Sequence, residues 1–138
     1  TFYKLSYIFV TIESNCGFNF KNFFLMNTED LSSIECPVIL TIKLIGNKWK
    51  LLILRALFLG TCRFNQLQKE LGDISQKVLT ENLRDLERAK LISRTVYPEV
   101  PPRVEYSLTP LGQSLRGIVQ AMKDFGENYQ ATFLQRKK

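Results

Sequence analysis

The sequence contains no histidine. That removes the commonest general base, the histidine-dependent nucleophilic triads and every zinc site that needs imidazole. Cysteine is scarce: Cys16, Cys36 and Cys62 show no C-x-x-C spacing, and three thiolates without imidazole do not close a four-ligand structural zinc site. Nor is this the dense pattern of a disulfide scaffold, so a reducing cytoplasm is the expected location. No apolar run approaches the roughly 20 residues that span a bilayer. The short stretch from Leu5 to Ile12 lacks the small-residue cleavage site of a signal peptide. A glycine-rich phosphate loop is missing as well, and the carboxylates fall on what read as helix surfaces. No catalytic constellation assembles, so neither an enzyme nor a cofactor is expected.

What is present suits one globular domain: 138 residues, 45% hydrophobic and 23% charged. Nineteen basic and 13 acidic residues leave a formal charge of +6. That fits a polyanionic partner, because phosphate contacts supply most non-specific affinity for nucleic acid. The balance is modest, and equally basic proteins serve other ends. Residues 1–25 differ from the remainder. They carry eight of the sixteen aromatics, with no helical or alternating period. Met26 and the polar Asn27-Thr28-Glu29-Asp30 read as an ordinary protein start. Two alternatives stand: residues 1–25 are translated upstream sequence, or they form an N-terminal arm that packs its aromatics on the domain or a partner. The domain proper is 26–138.

From Leu31 onward the punctuation is regular. Cys36-Pro37 opens an apolar helix, Val38 to Ile45, that stops at Gly46-Asn47. A second helix, Lys48 to Leu59, places Trp49, Leu52, Ile53, Ala56 and Leu57 on one stripe and ends at Gly60. The third begins near Asn65, which has capping-box spacing to Gln68; Leu67 and Leu71 point inward and Gly72 closes it. The fourth begins at Ser75 and runs to about Lys90, with Ile74 placed to staple onto Leu79 and with Leu79, Leu83 and Leu86 on one face. Leu91 to Tyr97 and Arg103 to Leu108 read as strands joined by the stiff loop Pro98 to Pro102. Thr109-Pro110 is an N-cap followed by proline at the first helical position. Beyond it Leu111, Leu115, Ile118, Val119, Met122, Phe125, Tyr129 and Phe133 recur every three or four residues. A single helix to about Leu134 is about 37 Å long at 1.5 Å per residue. The expected fold is α+β and mainly helical, a winged helix-turn-helix with an N-terminal helix and a long C-terminal one. The helix-turn-helix covers about 65–90, the wing about 91–108 and the last helix about 109–134.

In a helix-turn-helix one helix is anchored to the core while the next enters the major groove. Here the connection Gly72-Asp73-Ile74 joins the two, and the fourth helix turns Lys77, Thr80, Glu81, Arg84 and Arg88 away from its leucines. Ser75 and Gln76 stand at its N-terminus, where free backbone N–H groups favour an anion. The expected reading residues are Ser75, Gln76, Lys77, Thr80 and Arg84, with Arg103 on the wing contacting phosphate or the minor groove. Read alone, the same face is a solvated helix surface on which Glu81, Asp85 and Glu87 pair with neighbouring bases.

Several motifs fall in order: Cys36-Pro37-Val38, Ile45-Gly46-Asn47-Lys48-Trp49, Arg63-Phe64, Ile74-Ser75-Gln76-Lys77-Val78-Leu79, Leu83-Arg84-Asp85-Leu86-Glu87, Pro101-Pro102-Arg103-Val104-Glu105-Tyr106 and Leu108-Thr109-Pro110-Leu111-Gly112. From about Glu35 to Gly126 the chain closely resembles the HxlR-type winged helix regulators, relatives of the MarR group. The resemblance implies a homodimeric bacterial transcription factor on palindromic double-stranded operators. It also implies that the helix from Ser75 reads the major groove, that Pro101 to Arg103 is the wing, and that the first and last helices build the dimer. The apolar stripe agrees, since it is longer than one small domain covers. Its expected interface residues are Leu115, Ile118, Val119, Met122, Phe125 and Tyr129.

Some members of that family use the cysteine before the proline of the first helix as a redox or electrophile sensor, and Cys36 matches it. A thiol at a helix N-terminus has its thiolate stabilised by the helix dipole, whereas Glu35 opposes ionisation. The alternative is a small buried apolar residue. For the whole chain, the alternative function is a winged helix used for protein–protein contact without DNA reading.

Overall fold

The computed structural model describes residues 36–134. The readings of residues 1–25, of Met26 as initiator and of Glu35 fall outside them. The chain divides into two units after Gly46. The first contributes α1 (Pro37–Ile45), entered from the extended backbone of Cys36 with proline at the first turn. At its end the Gly46 N–H bonds the Ile42 carbonyl at 2.6 Å.

The second unit runs α2 (Lys48–Leu57), β1 (Cys62–Arg63), α3 (Phe64–Leu71), α4 (Gln76–Arg88), β2 (Ile92–Tyr97), β3 (Arg103–Leu108), α5 (Pro110–Gln113) and α6 (Arg116–Tyr129), closed by a π-helical turn, Gln130–Leu134. Asn47 starts α2, its Oδ1 accepting the Trp49 N–H at 2.8 Å. The core lies where α2, α3 and α4 meet: Ile53, Leu54, Leu67, Leu79, Leu83 and Leu86 are fully buried. Each such side chain contributes about 1.5–3 kcal/mol relative to exposure. Leu54 takes the place expected for Trp49 and Leu52, which are only half-buried. The sheet has the order β1-β3-β2 and is antiparallel throughout. This is the winged helix-turn-helix, helical with a small sheet.

Three expectations need correction. The third helix starts at Phe64 rather than Asn65: the Arg63 backbone N–H donates to Gln66 Oε1 at 2.8 Å, so the capping pair is Arg63 and Gln66. Immediately before it, Cys62–Arg63 pairs with Tyr106 and Glu105, a third strand that two residues cannot announce. The fourth helix ends at Arg88, not Lys90. Lys90 sits at φ +60, and the bonds Leu91 N–H to Leu86 O and Lys90 N–H to Glu87 O form a Schellman stop.

The expected long C-terminal helix is present as α6 with its π-helical continuation, and only the first turn, α5, is set apart from it. That first turn is fixed to the start of β2: the Thr109 hydroxyl donates to the Lys90 carbonyl at 2.6 Å and accepts the Gly112 N–H at 3.0 Å. Gly112 is so close to the Leu91 carbonyl that a Cβ would lie 2.0 Å from its oxygen. α6 is set from another direction, by Arg116 donating to the Phe58 carbonyl at 2.9 Å and lying over the Phe58 ring. Between these anchors, at Ser114 and Leu115, the helical ladder breaks.

Candidate nucleic-acid interface

The tight connection Gly72-Asp73-Ile74 follows from a glycine at φ +71, which ends α3, and from the Ile74 N–H bonding the Gly72 carbonyl. Ile74 and Leu79 are both buried, as a staple requires. Ser75 caps α4, its Oγ accepting the Val78 N–H at 3.2 Å. Thr80 donates its hydroxyl to the Gln76 carbonyl at 2.7 Å. Both hydroxyls thus serve the helix first. Gln76, Lys77 and Arg84 are exposed, and none makes a side-chain hydrogen bond or ion pair among the described residues.

The acids beside this face are largely accounted for. Asp85 is 3.1 Å from Lys50 of α2 and 3.0 Å from Arg88, so it ties α4 to the core and is neutralised there. Glu87 is half-buried on the side toward β2, which leaves Glu81 as the exposed carboxylate among Lys77, Arg84 and Arg88. Asn82, the buried polar residue of α4, donates to the Val78 carbonyl at 2.7 Å.

The wing holds its arginine inward. Arg103 pairs with Glu99 at 3.1 Å and Glu105 at 3.6 Å and lies 4.0 Å over the Tyr97 ring. Glu105 also meets Arg63 of β1 at 3.7 Å, so one carboxylate joins the short strand to the wing. The loop beyond presents Val100, fully exposed, between Glu99 and Pro101. The structure therefore places Arg103 at the start of β3, held by Glu99, Glu105 and Tyr97 beside the wing loop.

Arg94 is the residue that sequence reasoning missed. In the register of β2, Ile92 lies opposite Leu108 and Arg94 opposite Tyr106; Ile92 and Tyr106 are buried, while Arg94 is exposed. Thr80, Leu83, Arg84, Glu87, Arg94 and Tyr106 border a crevice of about 230 Å³ between α4 and β2.

On α6, Ile118, Met122, Phe125 and Tyr129 are exposed, and Leu115 and Val119 are half-buried. Phe125, Tyr129 and Phe133 form a tilted ring series, with centroids 6.3 and 4.9 Å apart. An open apolar groove runs along Ile118, Ala121, Met122 and Phe125. Cys36 is half-buried at the start of α1, in its own unit. Cys62 is half-buried too; burial, and secondarily Glu70, pushes its thiol above the ordinary cysteine value. Among the described residues no helix is long and apolar enough to cross a membrane.

Residues 44–133 match the family model described as HxlR-like helix-turn-helix. The chain is 49% identical over 94 residues to the HTH-type transcriptional regulator YdeP of Bacillus subtilis (strain 168), covering 68% of this chain and 73% of YdeP. It is 42% identical over 98 residues to YtfH of Escherichia coli (strain K12), another HTH-type transcriptional regulator, covering 71% and 78% of the two chains. Among solved structures, the redox regulator HypR in its oxidized form superposes with a TM-score of 0.64 at 44% identity, over 67% of this chain and 96% of HypR. The reduced form of the transcriptional regulator YodB from B. subtilis gives 0.60 at 33%, over 75% and 98%.

Proposed function

The chain belongs to the HxlR-like helix-turn-helix family of transcriptional regulators, and we propose that it acts as a homodimer reading palindromic operator DNA with the exposed face of α4. One observation carries this reading: Gln76, Lys77 and Arg84 are exposed and unpartnered on α4, while Asp85 is drawn back to Lys50. An α-helix fits the major groove, and amide and guanidinium groups match base edges and phosphates there. Ser75 and Thr80 flank the same surface and keep acceptor capacity after their local bonds. Arg103, at the start of β3 beside the wing loop, is the wing's candidate contact to phosphate or the minor groove. The apolar row Leu115, Ile118, Val119, Met122, Phe125 and Tyr129 supplies the dimer seam, which sets two reading helices about one turn of DNA apart, roughly 34–36 Å.

Selection of duplexes from a random pool by the full-length chain tests the proposal. The expected product is a two-fold-symmetric motif with half-sites one helical turn apart, bound less tightly as salt rises. Enrichment of an asymmetric motif removes the palindromic dimer. No salt-dependent affinity for any duplex favours a winged helix that contacts protein instead.

The similarity to HypR, a redox regulator, supports a second element of the reading: release from DNA on oxidation through Cys36. Its thiol stands at the first turn of α1, where the helix dipole favours thiolate. Cys36→Ser is expected to keep operator binding and to lose its sensitivity to diamide. Equal release of both proteins by diamide removes Cys36 as the sensor.

A further inference from the structure

We infer that the crevice between α4 and β2 is a seat for one phosphodiester group of the DNA backbone, gripped by Arg84 from the helix and Arg94 from the strand. The inference rests on the DNA-binding reading above and adds a contact from the sheet, between reading helix and wing.

The partners of the basic residues single this place out. Lys50, Arg63, Arg88, Arg103 and Lys123 are ion-paired, while Arg116 is bonded to a carbonyl and stacked on a ring. Arg84 and Arg94 have no such partner among the described residues, yet they come from different elements to border one cavity. Two guanidinium-bearing side chains on the border of one crevice, neither in a salt bridge, give it a positive balance that an anion would complement.

Size and charge select the anion. The crevice holds about 230 Å³. That is below the roughly 300–1,000 Å³ of sites that enclose a small-molecule ligand, but ample for a single phosphate. Glu87 on its border reduces two positive charges to a net of one. A phosphodiester carries one negative charge, whereas a free phosphate or nucleotide carries more and meets Glu87 unfavourably. Arginine also offers the forked donors that phosphate oxygens accept bidentately, and Thr80 and Tyr106 give the cavity polar walls.

Fluorescence anisotropy of the full-length chain on a labelled duplex of mixed sequence tests this, because backbone contacts do not depend on sequence. Arg94→Ala and Arg84→Ala are each expected to lower the slope of log affinity against log salt by about 0.9. Arg94→Lys should restore most of the slope by restoring the charge. Arg55→Ala, which removes an exposed unpartnered arginine on α2, should leave it unchanged. Glu87→Gln should strengthen binding. Circular dichroism melting of each variant reports whether the fold persists, and the lysine variant keeps the test decisive should alanine unfold the strand.

An unchanged slope in Arg94→Ala, with wild-type binding intact, overturns the phosphate seat while leaving the DNA-binding reading in place. Failure of the wild-type chain to bind duplex overturns both. A loss of wild-type affinity caused by inorganic phosphate at matched ionic strength, and absent in Arg94→Ala, assigns the crevice to a free anion and overturns the assignment to DNA.

Discussion

Gly112 shows how one position constrains the fold. With a Cβ 2.0 Å from the Leu91 carbonyl oxygen, any side chain must push the first turn of α5 away from β2. Thr109, which bonds to Lys90 and caps Gly112 at once, would lose both partners in that shift. Gly112→Ala is therefore expected to destabilise the protein by about 1–3 kcal/mol, as overpacking does. Gly117, on α6, meets nothing within 4 Å at its Cβ position. Gly117→Ala should instead be neutral or stabilising by up to about 1 kcal/mol, since alanine is the better helix former. Urea unfolding of the two variants separates the causes: two losses of similar size would show that the Leu91 approach is not what matters at Gly112. Cys62 makes a second single-residue case. Burial raises its thiol pKa, with Glu70 adding to the shift. The protonated form is thus favoured by folding, a contribution present below the ordinary cysteine pKa and lost as pH rises through the folded value. The pH–rate profile for alkylation of Cys62 by iodoacetamide, followed by peptide mass spectrometry, is expected to have its midpoint higher in the folded chain than in urea. Coincident midpoints would show an unperturbed thiol.

At the scale of elements, legibility followed how local the determining interactions are. α4 and β3 were readable because their causes sit within them: the Ser75 cap, the Leu79-Leu83-Leu86 stripe, the alternation from Arg103 to Leu108. The strand Cys62–Arg63 was not, because its existence depends on Tyr106 and Glu105, far along the chain. The apolar recurrence from Leu111 to Phe133 runs straight through the break at Ser114 and Leu115, since burial period and helix continuity are separate properties. The exposed polar face of α4 was legible from its sequence stripe. Arg94 was hidden in a strand whose facing direction only register reveals, and the three partners of Arg103 could not be read from the sequence. Those partners make the wing a single element: Glu105 links Arg103 to Arg63, and Glu99 and Tyr97 hold the guanidinium from the other side. Glu105→Gln removes a negative charge beside a polyanion, which on charge alone should tighten DNA binding. If Glu105 instead positions the wing, the same change weakens binding, leaves the salt slope unaltered and lowers stability by about 1 kcal/mol. Anisotropy at two salt concentrations decides: tighter binding by Glu105→Gln removes the positioning role.

The whole molecule poses a question of covering. Ile118, Met122, Phe125, Tyr129, Phe133 and Leu134 are all exposed along the end of the chain, and α6 has no buried residue. A contiguous exposed apolar row of this kind marks an interaction surface. A second copy satisfies it economically, because a two-fold axis lets the same row cover itself. It also gives the short, separate α5 a meaning. The first turn is welded to the wing sheet through Thr109 and Gly112, while α6 leaves from the Arg116 anchor carrying the apolar face. Phe125 is 71% exposed, so Phe125→Asp should cost the monomer little. In the dimer it loses an aromatic anchor of about 2 kcal/mol on each side of the axis and adds facing carboxylates, which together weaken association at least about a thousandfold. Sedimentation velocity over a concentration series is expected to show dimer for the wild type and monomer for Phe125→Asp, with unchanged melting of secondary structure in the isolated monomer. A wild type that stays monomeric throughout, or a Phe125→Asp variant that dimerises as before, would move the seam off α6 and leave this row to another partner.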